Sequence, residues 1–116
     1  MYLNKNGKAT DKKPSLSGYG IYVNSKDNST SKSCIENGYW QYDFSKYLTF
    51  GTINNLQLDK EKTKHLISQL LSIKQTQKIF IEPHLKELLG LNNENKIRFH
   101  GCQAVRHDDH IHLQTK

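Results

Sequence analysis

Between residues 59 and 90 the apolar side chains fall into three successive patterns, and these restrict the fold more than any other part of the chain. Leu66, Ile67, Leu70 and Leu71 recur at three- and four-residue spacing with lysines on the other side, the period of an amphipathic helix; Asp59 supplies a cap for its first turn. Lys78-Ile79-Phe80-Ile81 is a short β-branched and aromatic run of the kind that forms a buried strand. Glu82-Pro83 then sets proline at the first turn of a second helix through Leu85, Leu88 and Leu89, closed by Gly90. Lys96-Ile97-Arg98-Phe99-His100 predicts a further strand, interrupted at Gly101-Cys102 by a bulge or hairpin corner. This mixture predicts an α+β domain, a small antiparallel sheet with two helices.

The first half of the chain is poorer in such patterns. With 116 residues and 34% hydrophobic content, the chain has room for one modest core, placed in its C-terminal half. Residues 1–16 read as an irregular segment and residues 17–116 as a single domain. Ile21-Tyr22-Val23 reads as a strand, and Asn24 to Ser33, which has no apolar residue, as an exposed loop. The aromatic runs Tyr39 to Phe44 and Tyr47 to Phe50 suit core packing better than ligand stacking. No stretch approaches the ~18 apolar residues of a membrane span, and Met1 to Lys13 has no apolar core of an export signal.

The formal charge of +6, from 17 basic and 11 acidic residues, favours encounter with anionic partners such as nucleic acid or anionic cell-wall polymers. The lysines are dispersed, without a basic block or an aromatic-rich RNA-binding motif, so nucleic acid rests on net charge alone and is the weakest class. Cys34 and Cys102 are too far apart for a CxxC motif. They form either one disulfide or two buried thiols, according to compartment.

Chemistry concentrates at the end of the chain. His107-Asp108-Asp109-His110-Ile111-His112 places three imidazoles and two carboxylates in six positions. If this run is a strand, His110 and His112 share a face at a separation of roughly 7 Å. Asp108 and Asp109 then point to opposite faces, and one of them can fix the tautomer of a ligating histidine. The run alternates with Ile111 and Leu113, an apolar face that a solvated tail has no use for.

The stretch from Lys78 to Gly90, followed by Arg106-His107-Asp108-Asp109-His110-Ile111-His112-Leu113, resembles the C-terminal half of penicillin-insensitive murein endopeptidases. These are zinc peptidases related to D-Ala-D-Ala carboxypeptidases and lysostaphin-type enzymes. The HDDHxH element is the specific part, and the likeness covers about the last forty residues well. The resemblance implies a zinc centre on the sheet, with His112 as metal ligand and His110 and His107 as the catalytic histidines, His110 near the scissile amide and His107 in the surrounding shell. It also implies a peptidoglycan peptide as substrate and a periplasmic or extracellular location.

The chain departs from that pattern at its other half. The family takes further zinc ligands from an earlier His and Asp on a glycine-containing loop and strand. The stretch of that shape here, Ser17 to Asn24, has Ser17 and Asn24 at those places, and no histidine precedes His65. Three explanations follow: a degenerate member without metal, a site rebuilt from His100, His107, His110 and His112 or from His84, or a site completed by a partner chain. Taken singly, His100 and His84 read as boundary histidines, and His65 as a surface residue. The leading expectation is a zinc-dependent peptidoglycan peptide hydrolase compromised by the missing motif. Its alternative is an inactive pseudoenzyme that binds cell-wall peptide or a protein.

Overall fold

The computed structural model describes residues 1–12, 29–39, 56–105, 107 and 110–116. In chain order these form strands β1 (Tyr2–Asn4) and β2 (Ala9–Thr10), helix α1 (Ser29–Glu36), strand β3 (Leu56–Leu58), helix α2 (Lys60–Ser72), strand β4 (Thr76–Phe80), helix α3 (Pro83–Leu88), and strands β5 (Ile97–Arg98) and β6 (His112–Thr115). The expected strand Ile21–Val23 and the aromatic runs beyond Tyr39 lie outside the described residues, as do Ser17, Asn24, Asp108 and Asp109.

The central helix–strand–helix run forms as its pattern dictates. The Asp59 carboxylate accepts the Lys62 backbone N–H at 3.1 Å, occupying one of the donors that a helix start leaves without an intrahelical acceptor. Proline opens α3, where its missing N–H is harmless. Gly90, at φ +65°, turns the chain out of that helix, and the Leu91 N–H donates to the Lys86 carbonyl. Ile67, Ile79, Ile81, Leu85, Leu89, Leu91 and Ile97 form the buried core, with Leu58, Leu70, Leu71 and Ile111 packed against it.

Two corrections concern the sheet. Among the described residues there are two three-stranded sheets, ordered β2-β1-β3 and β5-β4-β6, and the second is mixed. β6 runs antiparallel to β4, but β5 runs parallel to it, with Ile79 opposite Ile97. The physical reason is α3: a helix between two strands carries the chain back to the starting edge, so the next strand repeats the direction of the first. The Lys86 ammonium fixes this crossover by donating to the carbonyls of Glu94 and Ile97, each at 3.1 Å.

Two further corrections fall in the first half. The first twelve residues are a hairpin rather than irregular: the Asn4 side chain accepts from the backbone N–H groups of Asn6 and Lys8 and closes the turn, and β1 pairs with β3. Helix α1 begins inside the stretch expected to be an exposed loop, making three helices among the described residues instead of two. Cys34 of α1 is fully buried and bonded to Cys102, with the Cα atoms 5.4 Å apart, which settles the alternative left open by spacing. Among the described residues, no helix is long and apolar enough to cross a membrane.

Candidate metal centre

Three turns of chain bring histidines onto the end of β4. Phe80, the last residue of that strand, is paired with His112, the first residue of β6. Its ring lies 4.5 Å from that of His100, 5.5 Å from that of His112 and 6.2 Å from that of His107, centroid to centroid. Phe80 is thus a floor on which the three imidazoles stand. His100 follows β5, and Gly101, at φ +101°, reverses the chain into a turn closed by the Ala104 N–H on the Gly101 carbonyl. That reversal returns the backbone to place His107 against His100, their rings 5.3 Å apart.

One nitrogen from each of His100, His107 and His112 lies within 4.8 Å of the other two. His107 is buried, at 3% exposure, while His100 and His112 are exposed at the mouth. Burial, followed by the neighbouring His110, His100 and His112, pushes the His107 pKa down to about 4. Its imidazole is therefore neutral at pH 7, the form that ligates a metal. Three imidazoles, one sunk and two at the surface, match the donor set of a catalytic zinc, which takes three protein ligands and keeps a position open. Holding one metal ion would draw these nitrogens closer together than the 4.8 Å within which they lie, with His100 and His112 at the exposed mouth as the rings with room to move.

A buried carboxylate holds the inner ligand. Glu82 is 1% exposed; its Oε1 accepts the His107 backbone N–H at 3.1 Å, and its own N–H donates to the His107 carbonyl at 3.1 Å. This reciprocal pair pins the His107 backbone to the end of β4. Replacing Glu82 by alanine is expected to cost about 1–3 kcal/mol through the buried amide left without this acceptor. It should also weaken metal binding, because the backbone that carries the inner histidine is no longer fixed to the end of β4. Urea unfolding and a zinc titration of Glu82→Ala beside Glu82→Gln, which keeps an acceptor oxygen, measure both effects.

The predicted site residues fall as follows. His112 and His107 belong to the converging group, and His110 stands beside it, its ring 4.9 Å from that of His107. The strand expected through residues 107–113 begins only at His112, so His110 and His112 are not alternate positions of one strand. His100, read singly as a boundary residue, is a member of the group. Glu82 and Phe80 carried no sequence signal beyond a helix start and an apolar strand position. His84 is buried on α3 and His65 is exposed on α2; neither belongs to the group.

The depressed pKa of His107 sets a pH dependence. Between about pH 6.5 and 4 the unfolded chain holds a proton on this ring that the folded chain does not, so stability rises with pH. In metal-free protein the contribution is fully present above pH 6.5 and falls away toward pH 4. Urea midpoints across that window are expected to drop with acidification, and to drop less in His107→Gln.

Comparisons of the chain with protein-family models, with curated proteins and with solved structures found no match. The class defined by fold and site is therefore a small α+β domain bearing three convergent histidines suited to one metal ion.

Proposed function

We propose that the chain is a zinc-dependent hydrolase of peptidoglycan peptides, of the penicillin-insensitive murein endopeptidase type that its closing residues resemble. The convergence of His100, His107 and His112 is the observation that carries this reading. In it, His100 and His107 stand in for the ligands that Ser17 and Asn24 cannot provide, and His112 keeps the role implied by the resemblance. When bound, zinc lowers the pKa of a water and polarises the scissile carbonyl. His110, adjacent to the buried ligand, is the group placed to move a proton between water and the leaving amine. Glu82 holds the inner histidine, and Phe80 excludes water from beneath the group.

Two other properties agree with this setting. A disulfide persists in oxidising compartments, where cell-wall substrates lie. A charge of +6 favours approach to anionic wall polymers. The missing His/Asp motif supports a second reading, in which the domain binds cell-wall peptide without cutting it.

The test is incubation of zinc-loaded protein with peptidoglycan and isolated stem peptides, followed by mass spectrometry. Hydrolysis predicts fragments that have gained one water, lost on chelation and restored by zinc. Zinc binding and peptide retention without such fragments would establish the second reading.

A further inference from the structure

The outer face of the second sheet carries more than the histidine group. Phe80, whose ring underlies the imidazoles, is paired with His112 on one side and with Arg98 on the other, and cross-strand partners project to the same face. Alternation puts Lys78 and Lys96, each two residues before a member of the Phe80–Arg98 pair, on that face as well. The intervening Ile79 and Ile97 point inward, into the core with Ile67 of α2 and Leu85 of α3. Lys78, Lys96 and Arg98 are all exposed. Cations that look dispersed along the sequence are thus gathered beside the metal group. Lys78 and Lys96 flank the Ile79–Ile97 pair on neighbouring strands, about 4.8 Å apart at the backbone, where like charges repel. β4, β5 and β6 contain no acidic residue, and among the described residues no ion pair engages Lys78, Lys96 or Arg98.

We propose that this face is the substrate-binding surface and that it selects a peptide bearing free carboxylates, one of them received by Arg98 within about two residues of the amide presented to His100, His107 and His112. The inference rests on the reading of the site as a peptide-amide hydrolase and adds the charge of its substrate. The spacing follows from the chain: Arg98 precedes His100 by two residues, at most about 7 Å of backbone, and a bound extended peptide advances about 3.3–3.6 Å per residue. The guanidinium fork pairs with a carboxylate through two parallel hydrogen bonds, and Lys78 and Lys96 add point charges farther from the metal group. Nucleic acid suits the face less well. Base stacking needs open aromatic rings, and Phe80, the only Phe, Tyr or Trp of these three strands, lies beneath the imidazoles.

The test is isothermal titration, into metal-free and zinc-loaded full chain, of a peptidoglycan stem peptide with its free carboxylates and of the same peptide with each carboxylate converted to carboxamide. The carboxylate form is expected to bind about tenfold more tightly in about 0.1 M salt. In about 1 M salt, where the screening length falls to about 3 Å, the difference should disappear. Lys96→Gln/Arg98→Gln, at exposed positions, should abolish the preference while zinc uptake persists. Lys60→Gln/Lys64→Gln makes the same change of net charge on the exposed side of α2 and should leave the preference intact. Arg98→Lys, which keeps the charge without the fork, should lose part of it, and decides the matter if the double variant fails to fold. Equal affinity for the two peptides in a protein that takes up zinc would overturn the surface and leave the metal reading standing. So would a preference that the two double variants remove alike. Displacement of the peptide by a single-stranded oligonucleotide at lower concentration would overturn the choice of partner. A carboxylate preference carried by Lys96 and Arg98 in a protein that takes up no zinc would do the reverse, keeping the surface as a peptide-binding one and removing the hydrolase.

Discussion

His112→Ala is expected to retain no zinc under conditions in which the unaltered chain holds one equivalent. The loss should exceed the 10- to 100-fold change in affinity that removal of a ligand-orienting partner produces, because a donor itself is gone. Two imidazoles remain, one short of the three protein ligands of a catalytic zinc. The backbone at His112 is held by the β4 pairing opposite Phe80, so no neighbouring residue slides into its place without breaking the ladder. Zinc at about 100 times its dissociation constant adds about 2.7 kcal/mol to stability, and this increment should vanish with it. His65→Ala, on the exposed face of α2, is the control that leaves stoichiometry and thermal shift unchanged. Metal analysis after gel filtration and thermal unfolding with added zinc give the two readings.

Reduction of Cys34–Cys102 should have the largest effect on stability. The bridge spans a sequence separation of 68, for which the loop-entropy relation gives about 4 kcal/mol. Domains of this size are stable by only about 5–15 kcal/mol, so its loss removes a large part of the total. Cys34 is fully buried on a helix with little apolar surface of its own, and the bridge, with the hydrogen bond from the Gln103 amide to the Tyr39 hydroxyl, ties that helix to the turn after His100. Urea unfolding of Cys34→Ala/Cys102→Ala, or of the native chain with reductant, is expected to show a much lower midpoint. Weaker zinc binding should accompany it, since Cys102 anchors the arm that carries His100. An unchanged midpoint would mean that the remaining packing holds α1 unaided.

What was legible in the sequence had local causes. α2 and α3 were readable because Asp59, Pro83 and Gly90 mark their ends and leucines and isoleucines mark their inner faces. Elements that depend on distant partners were not. β1 and β2 are three and two residues long, too short to show an alternation of their own, and β1 is held between β2 and β3, which reaches it from far along the chain. α1 lacks an apolar stripe, and its burial comes through one cysteine. The parallel direction of β5 follows from the α3 crossover, which spacing alone does not orient.

The site divides in the same way. The density of histidines and carboxylates over residues 107–112 marks that segment in the sequence, and His107 and His112 of it lie in the converging group. Strand alternation pairs His112 with His110, but β6 starts at His112 and His110 lies beside the converging group, not in it. His100 joins the group through the positive φ of Gly101, a backbone reversal that reads in sequence only as an interrupted strand. Glu82 looked like a helix-start residue; its buried contact with His107 depends on chain brought back from 25 residues further on.

X-ray absorption at the zinc edge, on protein stripped with chelator and reloaded with one equivalent, tests the metal centre most directly. The predicted spectrum has three imidazole nitrogens at about 2.0–2.1 Å and one further light donor at the open position. It should lose one imidazole in each of His100→Ala, His107→Ala and His112→Ala. A shell dominated by water oxygens, or one unchanged by all three substitutions, would contradict a zinc site built from these histidines.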